Sequence, residues 1–275
     1  MCKTFWLLPF LAVAFTPSAH ALYEDKQPCD SGTVEAVARW AGVKGKLVSW
    51  DEPDGLIAAA ACKVMPNAPG TTIAAIAFDI NHEGPRRDDG NKMQIIALVE
   101  AGKVLVANRS TIVEDAITAV GDYRIDTARY ILSKDVRAFG VVFYSNVSGS
   151  RCAEGGASEE LTLWIREGEH LRAIFGTNLS SWALIDGETC SLEDNDVRIQ
   201  RSRMTIGIER TSSHGFADLS ITAHVTETLS NRDGDDSITG ERTVRKVLKY
   251  DGQSYGPLNM FRTFWYPERR GDEPD

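Results

Sequence analysis

Long apolar runs are scarce in this sequence, and the clearest one lies close to its start. That run extends from Phe5 to Phe15. It is shorter than the ~18 uninterrupted apolar residues that a membrane span needs. No later segment comes closer to that length. The sequence therefore predicts no stable membrane insertion.

The short apolar run has the features of an export signal. Lys3 precedes it, and a polar stretch that ends in Ala19-His20-Ala21 follows it. A basic start, an apolar centre and a small-x-small site are the three parts of a secretory signal peptide. We therefore expect residues 1–21 to be a signal peptide that is cleaved near Ala21. The mature protein would then lie in the periplasm or outside the cell.

Basic residues are also few. The chain has 30 Lys and Arg against 39 Asp and Glu, which gives a formal net charge of −9 at pH 7. Nucleic acids and anionic membranes attract positive protein surfaces, so this balance predicts no nucleic-acid partner. An acidic surface fits a basic protein, an envelope component or a cation. It also fits ordinary solubility.

Cysteines are limited to five, and Cys2 lies inside the predicted signal peptide. The other four are Cys29, Cys62, Cys152 and Cys190. An even number in an oxidising compartment predicts two disulfide bonds, each worth ~2–4 kcal/mol. Three pairings can be drawn, and loops of moderate length favour Cys29–Cys62 with Cys152–Cys190. A zinc site is disfavoured because no Cys-x-x-Cys occurs.

Catalytic motifs are missing as well. The sequence has no Gly-x-Ser-x-Gly elbow, no His-x-x-x-His and no glycine loop for phosphate. Its catalytic residues are therefore unknown, and the pattern favours a protein that is not an enzyme. A hydrolase would need a site assembled from distant residues.

The sequence does contain many turn signals and stretches in which apolar and polar residues alternate. They indicate about a dozen strands and predict a mainly β fold, an antiparallel β-meander built as a sandwich or as an irregular propeller-like array. Turns are predicted at Pro53-Asp54-Gly55 and at Ala101-Gly102. A short second helix is a weaker prediction for residues 110–121.

One N-terminal α-helix is predicted over residues 30–42, with the sequence DSGTVEAVARWAG. Asp30 or Ser31 can cap its start, and Gly42 can end it. An apolar stripe at helical spacing consists of Val34, Val37, Ala38 and Ala41.

The domain organisation expected from the sequence is simple. Residues 22–265 form a single β-rich domain, with a subdomain boundary allowed near the acidic segment 191–198. Residues 266–275 form a polar, disordered tail.

Two acidic stretches resemble parts of a calcium loop. An EF-hand loop needs oxygen ligands at alternating positions, Gly at position six and Glu at position twelve. The first stretch has Gly90 where Glu is needed, and the second has Asp236 where Gly is needed. The candidate ligands are Asp79, Asn81, Glu83, Asn231, Asp233 and Asp235. The alternative for both stretches is a solvated turn.

These features together predict a secreted, β-rich binding protein of unknown ligand. One concrete form is a periplasmic inhibitor or immunity-type protein that blocks a basic toxin or a lysozyme-like enzyme. Two alternatives stay open. The first is an envelope hydrolase with a site assembled from distant residues, and the second is a structural module stabilised by Ca²⁺.

Overall fold

The structure is a computed structural model that describes residues 26–80, 90–147, 149–150, 152–188, 190, 196–230, 236–256 and 264–266. Within these ranges the chain forms helix α1, Ser31–Ala41, and twelve strands. The strands are β1 Lys46–Ser49, β2 Gly55–Met65, β3 Ala68–Phe78, β4 Asn91–Glu100, β5 Lys103–Val113, β6 Val120–Asp126, β7 Phe139–Ser145, β8 Gly155–Glu167, β9 His170–Asp186, β10 Val197–Ser213, β11 Phe216–Ser230 and β12 Asp236–Leu248.

The described strands form two sheets. Strands β1 to β5 make a five-stranded sheet in chain order, and strands β6 to β12 make a seven-stranded sheet, also in chain order. All neighbouring strands are antiparallel except β1 and β2. The predicted mainly β meander with one N-terminal helix is confirmed.

Helix α1 packs on the side of the five-stranded sheet that faces away from the seven-stranded sheet. Asp30 caps its start by accepting a hydrogen bond from the Thr33 amide. Gly42 ends it with a φ of 75°, which favours glycine. The predicted stripe is buried, and Val37 is fully enclosed against the sheet. A disulfide between Cys29 and Cys62 ties the start of the helix to β2.

The turn predictions have different outcomes. Ala101 and Gly102 have φ angles of 48° and 72°, as the tight turn between β4 and β5 requires. The hairpin predicted at Pro53-Asp54-Gly55 is wrong, because β1 and β2 run parallel. Gly55 is needed there, since a Cβ atom would lie 1.9 Å from the Ser49 carbonyl oxygen. The helix predicted for residues 110–121 is also wrong, because β5 continues to Val113.

The two sheets pack face to face through one apolar core. The five-stranded sheet contributes residues of β2 to β5, and the seven-stranded sheet contributes residues of β6 to β9. The other face of the seven-stranded sheet is covered by residues 130–138 and 248–255, and farther along by Trp265. The inner face of β10 to β12 contributes nothing to the intersheet core.

The predicted domain boundaries stay predictions. Residues 1–25, 191–195 and 267–275 lie outside the described ranges, so the signal peptide and most of the tail do too. Across the segment 191–198, β9 and β10 pair in one sheet. In the part of the chain that the structure describes, no helix is long and apolar enough to cross a membrane.

Candidate functional site

The inner face of the seven-stranded sheet is the face that meets the five-stranded sheet. Strand register places Phe143 on β7 opposite Glu160 on β8, and Glu160 opposite Asn178 on β9. Ser180 on β9 lies opposite Arg203 on β10 in the same way. Beyond β9 this face is open. The open face, as we call it, carries Trp182, Arg201, Arg203, Thr205, Thr222 and His224.

Two depressions meet where the sheets separate, and together they form what we call the cleft. The inner part is a cavity of about 170 Å³ between the sheets. The outer part is a groove of about 550 Å³ along β7, β8 and β9. They share Phe143 and Glu160 as lining residues. The cleft therefore runs from the intersheet core toward the open face.

Small residues make up most of the groove lining, together with two aromatic rings and two carboxylates. The carboxylates are those of Glu159, which Arg203 contacts from the open face, and Glu160; no described lining residue is basic. Asn178 is only 4% exposed, and its Oδ1 has no hydrogen-bond partner within the described residues. The rings of Phe143 and Trp182 contribute the apolar walls. An acceptor that is buried without a partner is costly, so a donor that reached Asn178 Oδ1 would be favoured.

The inner cavity has a comparable feature. Trp164 lines it and is nine-tenths buried. Its indole Nε1 has no partner in the described chain. Gln94 lines the same cavity and is held by two hydrogen bonds. It donates to the Tyr123 hydroxyl at 2.7 Å and accepts from the Ser110 hydroxyl at 2.9 Å. Burial raises the pKa of Tyr123 well above its ordinary value of 10.0.

Two arginines on this side of the sheet are paired with carboxylates, and Arg201 donates to the Thr228 hydroxyl. Arg203 donates to Glu159 at 2.5 Å, and Arg245 on β12 pairs with Glu209 on β10. The open face is therefore polar, and the charges of Arg203 and Arg245 are neutralised. Such a surface suits docking of a hydrated partner better than burial under an apolar one.

Glu209 and Asp218 are two carboxyls near the hairpin end of β10 and β11. Hydrogen bonds from Ser220 and Arg245 lower the pKa of Glu209. The Thr211 hydroxyl lowers the pKa of Asp218. A general acid of a glycoside hydrolase needs a raised pKa, so these two carboxyls are unsuited to that role.

A buried group of three charges lies on the inner face of the five-stranded sheet. Lys92 at the start of β4 is 1% exposed. Its Nζ lies 3.5 Å from Oδ2 of Asp79 and 3.0 Å from Oε2 of Glu114. The Glu114 contact is close, but its angles are not those of a hydrogen bond. We call Asp79, Lys92 and Glu114 the buried triad.

Backbone hydrogen bonds hold Asp79 through its main chain and Glu114 through its side chain. The Asp79 amide donates to the Leu56 carbonyl on β2 at 2.9 Å. Oε1 of Glu114 accepts from the Val120 amide at the start of β6 at 2.7 Å. The triad thus lies across three neighbouring strands, beneath the seven-stranded sheet.

The predicted calcium ligands are only partly within the described chain. Asp79 belongs to the buried triad. Asn81, Glu83, Asn231, Asp233 and Asp235 lie outside the described residues. Among the residues that are described, no group of three or more His, Cys, Asp or Glu side chains could hold a metal ion. Calcium binding stays a prediction.

Two disulfide bonds are confirmed. The structure joins Cys29 to Cys62 and Cys152 to Cys190, with sequence separations of 33 and 38 residues. The second bond lies beside the groove, whose lining includes Ser150 and Ala153.

Sequence reasoning missed both the cleft and the buried triad. A signal for the triad was present in β4, where Lys92, Gln94, Ile96 and Leu98 share one face of an otherwise apolar strand. A lysine in such a position is either at an edge or paired inside the protein. The cleft left no comparable signal, because it forms between residues of β4, β5, β7, β8 and β9.

Comparisons of the chain with protein-family models, with curated proteins and with solved structures find no match.

Proposed function

We propose that this chain is a secreted binding protein, and that its groove accepts a basic side chain of a protein partner. The observation that carries the proposal is the convergence of acceptors and aromatic rings in the groove, where no described lining residue is basic. The buried Asn178 Oδ1 without a partner is the most specific part of it.

The chemistry of the groove fits a guanidinium or an ammonium group. Glu160 and Asn178 both line the groove and carry side-chain acceptor oxygens. Phe143 and Trp182 line the same groove, and the faces of aromatic rings attract cations within about 6 Å of the ring centre. Arginine uses both kinds of contact at once, because its planar group can stack on a ring and donate in the same plane.

The rest of the molecule supports a basic protein as the partner. The net charge of −9 would draw a basic protein toward the chain and speed association. The open face continues from the groove and offers a polar platform for the surface around the inserted side chain. A periplasmic or extracellular inhibitor of a basic enzyme is one form of this function. Two disulfides support an oxidising compartment.

The test is a binding titration with two kinds of probe. A basic lysozyme-type enzyme is the protein probe, and two peptides that differ only by Arg or Gln at the centre are the small probes. We expect the Arg peptide to bind and the Gln peptide not to bind. Glu160→Gln should weaken binding of the Arg peptide by about 2 kcal/mol or more, which is roughly 30-fold in Kd.

Glu169→Gln is the matched control. Glu169 is an exposed residue of the β8–β9 turn and does not line the groove. This variant should bind like the original protein. Equal affinity for the Arg and Gln peptides, or an unchanged Kd in Glu160→Gln, would refute the proposed groove.

A further inference from the structure

The buried triad places a nucleophilic amine, an acyl group and a proton carrier in one dry site. Side-chain exposures are 1% for Lys92 and 6% for Asp79 in one contact, and 4% for Glu114 in the other. Removing one partner of such a buried charge group is expected to destabilise a fold strongly. A buried ion group is therefore one reading of the triad. The distances allow a second one.

We propose that Lys92 and Asp79 become joined by an intramolecular isopeptide bond, and that Glu114 carries the protons. The Lys92 Nζ and the nearer Asp79 oxygen are 3.5 Å apart. That separation brings the amine into contact with the carboxyl group whose carbon it would attack. Both residues are fixed on neighbouring strands, because Phe78 pairs with Met93 immediately beside them.

The reaction balances without any other reactant. Glu114 takes a proton from the Lys92 ammonium and passes it to an oxygen of Asp79. The neutral amine then attacks Cγ of Asp79, and a new C–N bond forms. A second proton moves from the nitrogen through Glu114 to the same oxygen, the C–O bond breaks, and one water leaves. The ammonium and the carboxylate become one amide, and Glu114 ends as it began.

Asp79 rather than Glu114 is assigned as the acyl group, although Glu114 is nearer to Nζ. The Glu114 carboxylate is held through Oε1 by the Val120 amide, so it is anchored as an acceptor beside the amine. Its Oε2 lies 3.0 Å from Nζ, so a proton can pass between them once the ammonium group turns toward that oxygen. Water exclusion by the two sheets favours condensation, since the product water would leave the site and hydrolysis would lack its reactant.

The decisive measurement is a peptide map of the mature, oxidised protein after it has been purified, incubated folded, reduced and digested with trypsin. A linked chain resists cleavage at Lys92. It yields one branched peptide in which residues 64–86 are joined to residues 88–103, lighter by one water than the two parts. An unlinked chain yields separate peptides for 88–92 and 93–103.

Variants refine the assignment. In Asp79→Asn, condensation releases ammonia in place of water, so the linked product has the same mass as that of the original protein. Glu114→Gln should slow linkage by about 100-fold or more, since it removes the proton carrier. Lys92→Met, which lacks the amine, provides the unlinked reference mass.

The original protein alone can overturn the proposal, whether or not the variants fold. Complete cleavage at Lys92 after prolonged incubation would show that the triad is only an ion group. A branched peptide that joined Lys92 to residues 110–124 would overturn the assignment of Asp79, because that peptide contains Glu114.

Discussion

Gln27 is the residue whose replacement best tests how the two sheets are held together. Its side chain takes the place of a neighbouring strand beside the edge strand β6. Nε2 donates to the Ile125 carbonyl at 3.1 Å, and Oε1 accepts from the Ile125 amide at 2.6 Å. Its own carbonyl accepts from the Cys62 amide on β2 at 2.8 Å. Gln27 therefore bridges the two sheets.

Gln27→Ala removes both side-chain bonds and leaves two backbone groups of the buried Ile125 without partners. An unsatisfied buried group costs about 1–3 kcal/mol. Gln27 is partly exposed, so water can form hydrogen bonds with some of the freed backbone groups. The cost for each group should therefore lie near the lower end of this range. We expect the free energy of unfolding to fall by about 2–4 kcal/mol, and the Tm to fall by roughly 5–15 °C.

Urea and thermal unfolding of the mature protein would measure this effect, with the urea m-value expected to stay unchanged. Gln253→Ala is the control, because Gln253 is an exposed glutamine in a turn. Gln27→Glu adds a second test. Its carboxylate cannot donate to the Ile125 carbonyl at neutral pH, so acid should restore part of the stability. If Gln27→Ala unfolds at the same temperature as the control, the bridge contributes nothing and the reasoning fails.

Four further predictions concern the core, the pH limit, the second disulfide and the calcium alternative. Trp265→Ala should lower the free energy of unfolding by about 3–5 kcal/mol, because the ring is 1% exposed and packs on the far end of the seven-stranded sheet; a loss below 1 kcal/mol in urea unfolding would contradict this packing. Stability should fall as pH rises above the ordinary tyrosine pKa of 10.0, since burial raises the pKa of Tyr123 and only the unfolded chain ionises there; Tm measured from pH 8 upward should drop less steeply in Tyr123→Phe. Replacing Cys152 and Cys190 by Ser should destabilise the protein by about 2–4 kcal/mol; an unchanged urea midpoint would speak against it. A Ca²⁺-stabilised module would melt higher in millimolar Ca²⁺ than in EDTA, and Asp233→Ala should abolish the difference; equal melting in both would remove this alternative.

Local features of the chain were predictable where the signal and the structure involve the same few residues. The helix begins at its capping aspartate and ends at Gly42, and the turn at Ala101-Gly102 needs only two residues with positive φ. The hairpin prediction at Pro53-Asp54-Gly55 was wrong because a turn signal indicates that the chain bends, but not whether the next strand runs parallel or antiparallel. There, Gly55 allows close backbone approach to Ser49 and the chain runs on in parallel.

Features formed between distant strands could not be predicted in the same way. The expected helix over residues 110–121 rested partly on Glu114, an acid suited to a capping box. In the structure that carboxylate accepts from the Val120 amide and contacts Lys92. Only the packing of one sheet on the other brings these groups together. Alternation along a strand identifies a face, but it does not identify what covers that face.

Strand order in both sheets has a consequence for how the molecule can be assembled. Within each sheet, every strand after the first pairs with the strand made just before it, so every pairing is local along the chain. Local pairings are reached quickly during folding, and the early sheet can form while later residues are still being synthesised. The seven-stranded sheet can then grow from β6, because each later strand adds to the same edge. A chain that ends after Asp186 keeps every strand pair from β1 to β9. It lacks the outer three strands, Cys190 and the covering residues 248–255 and Trp265.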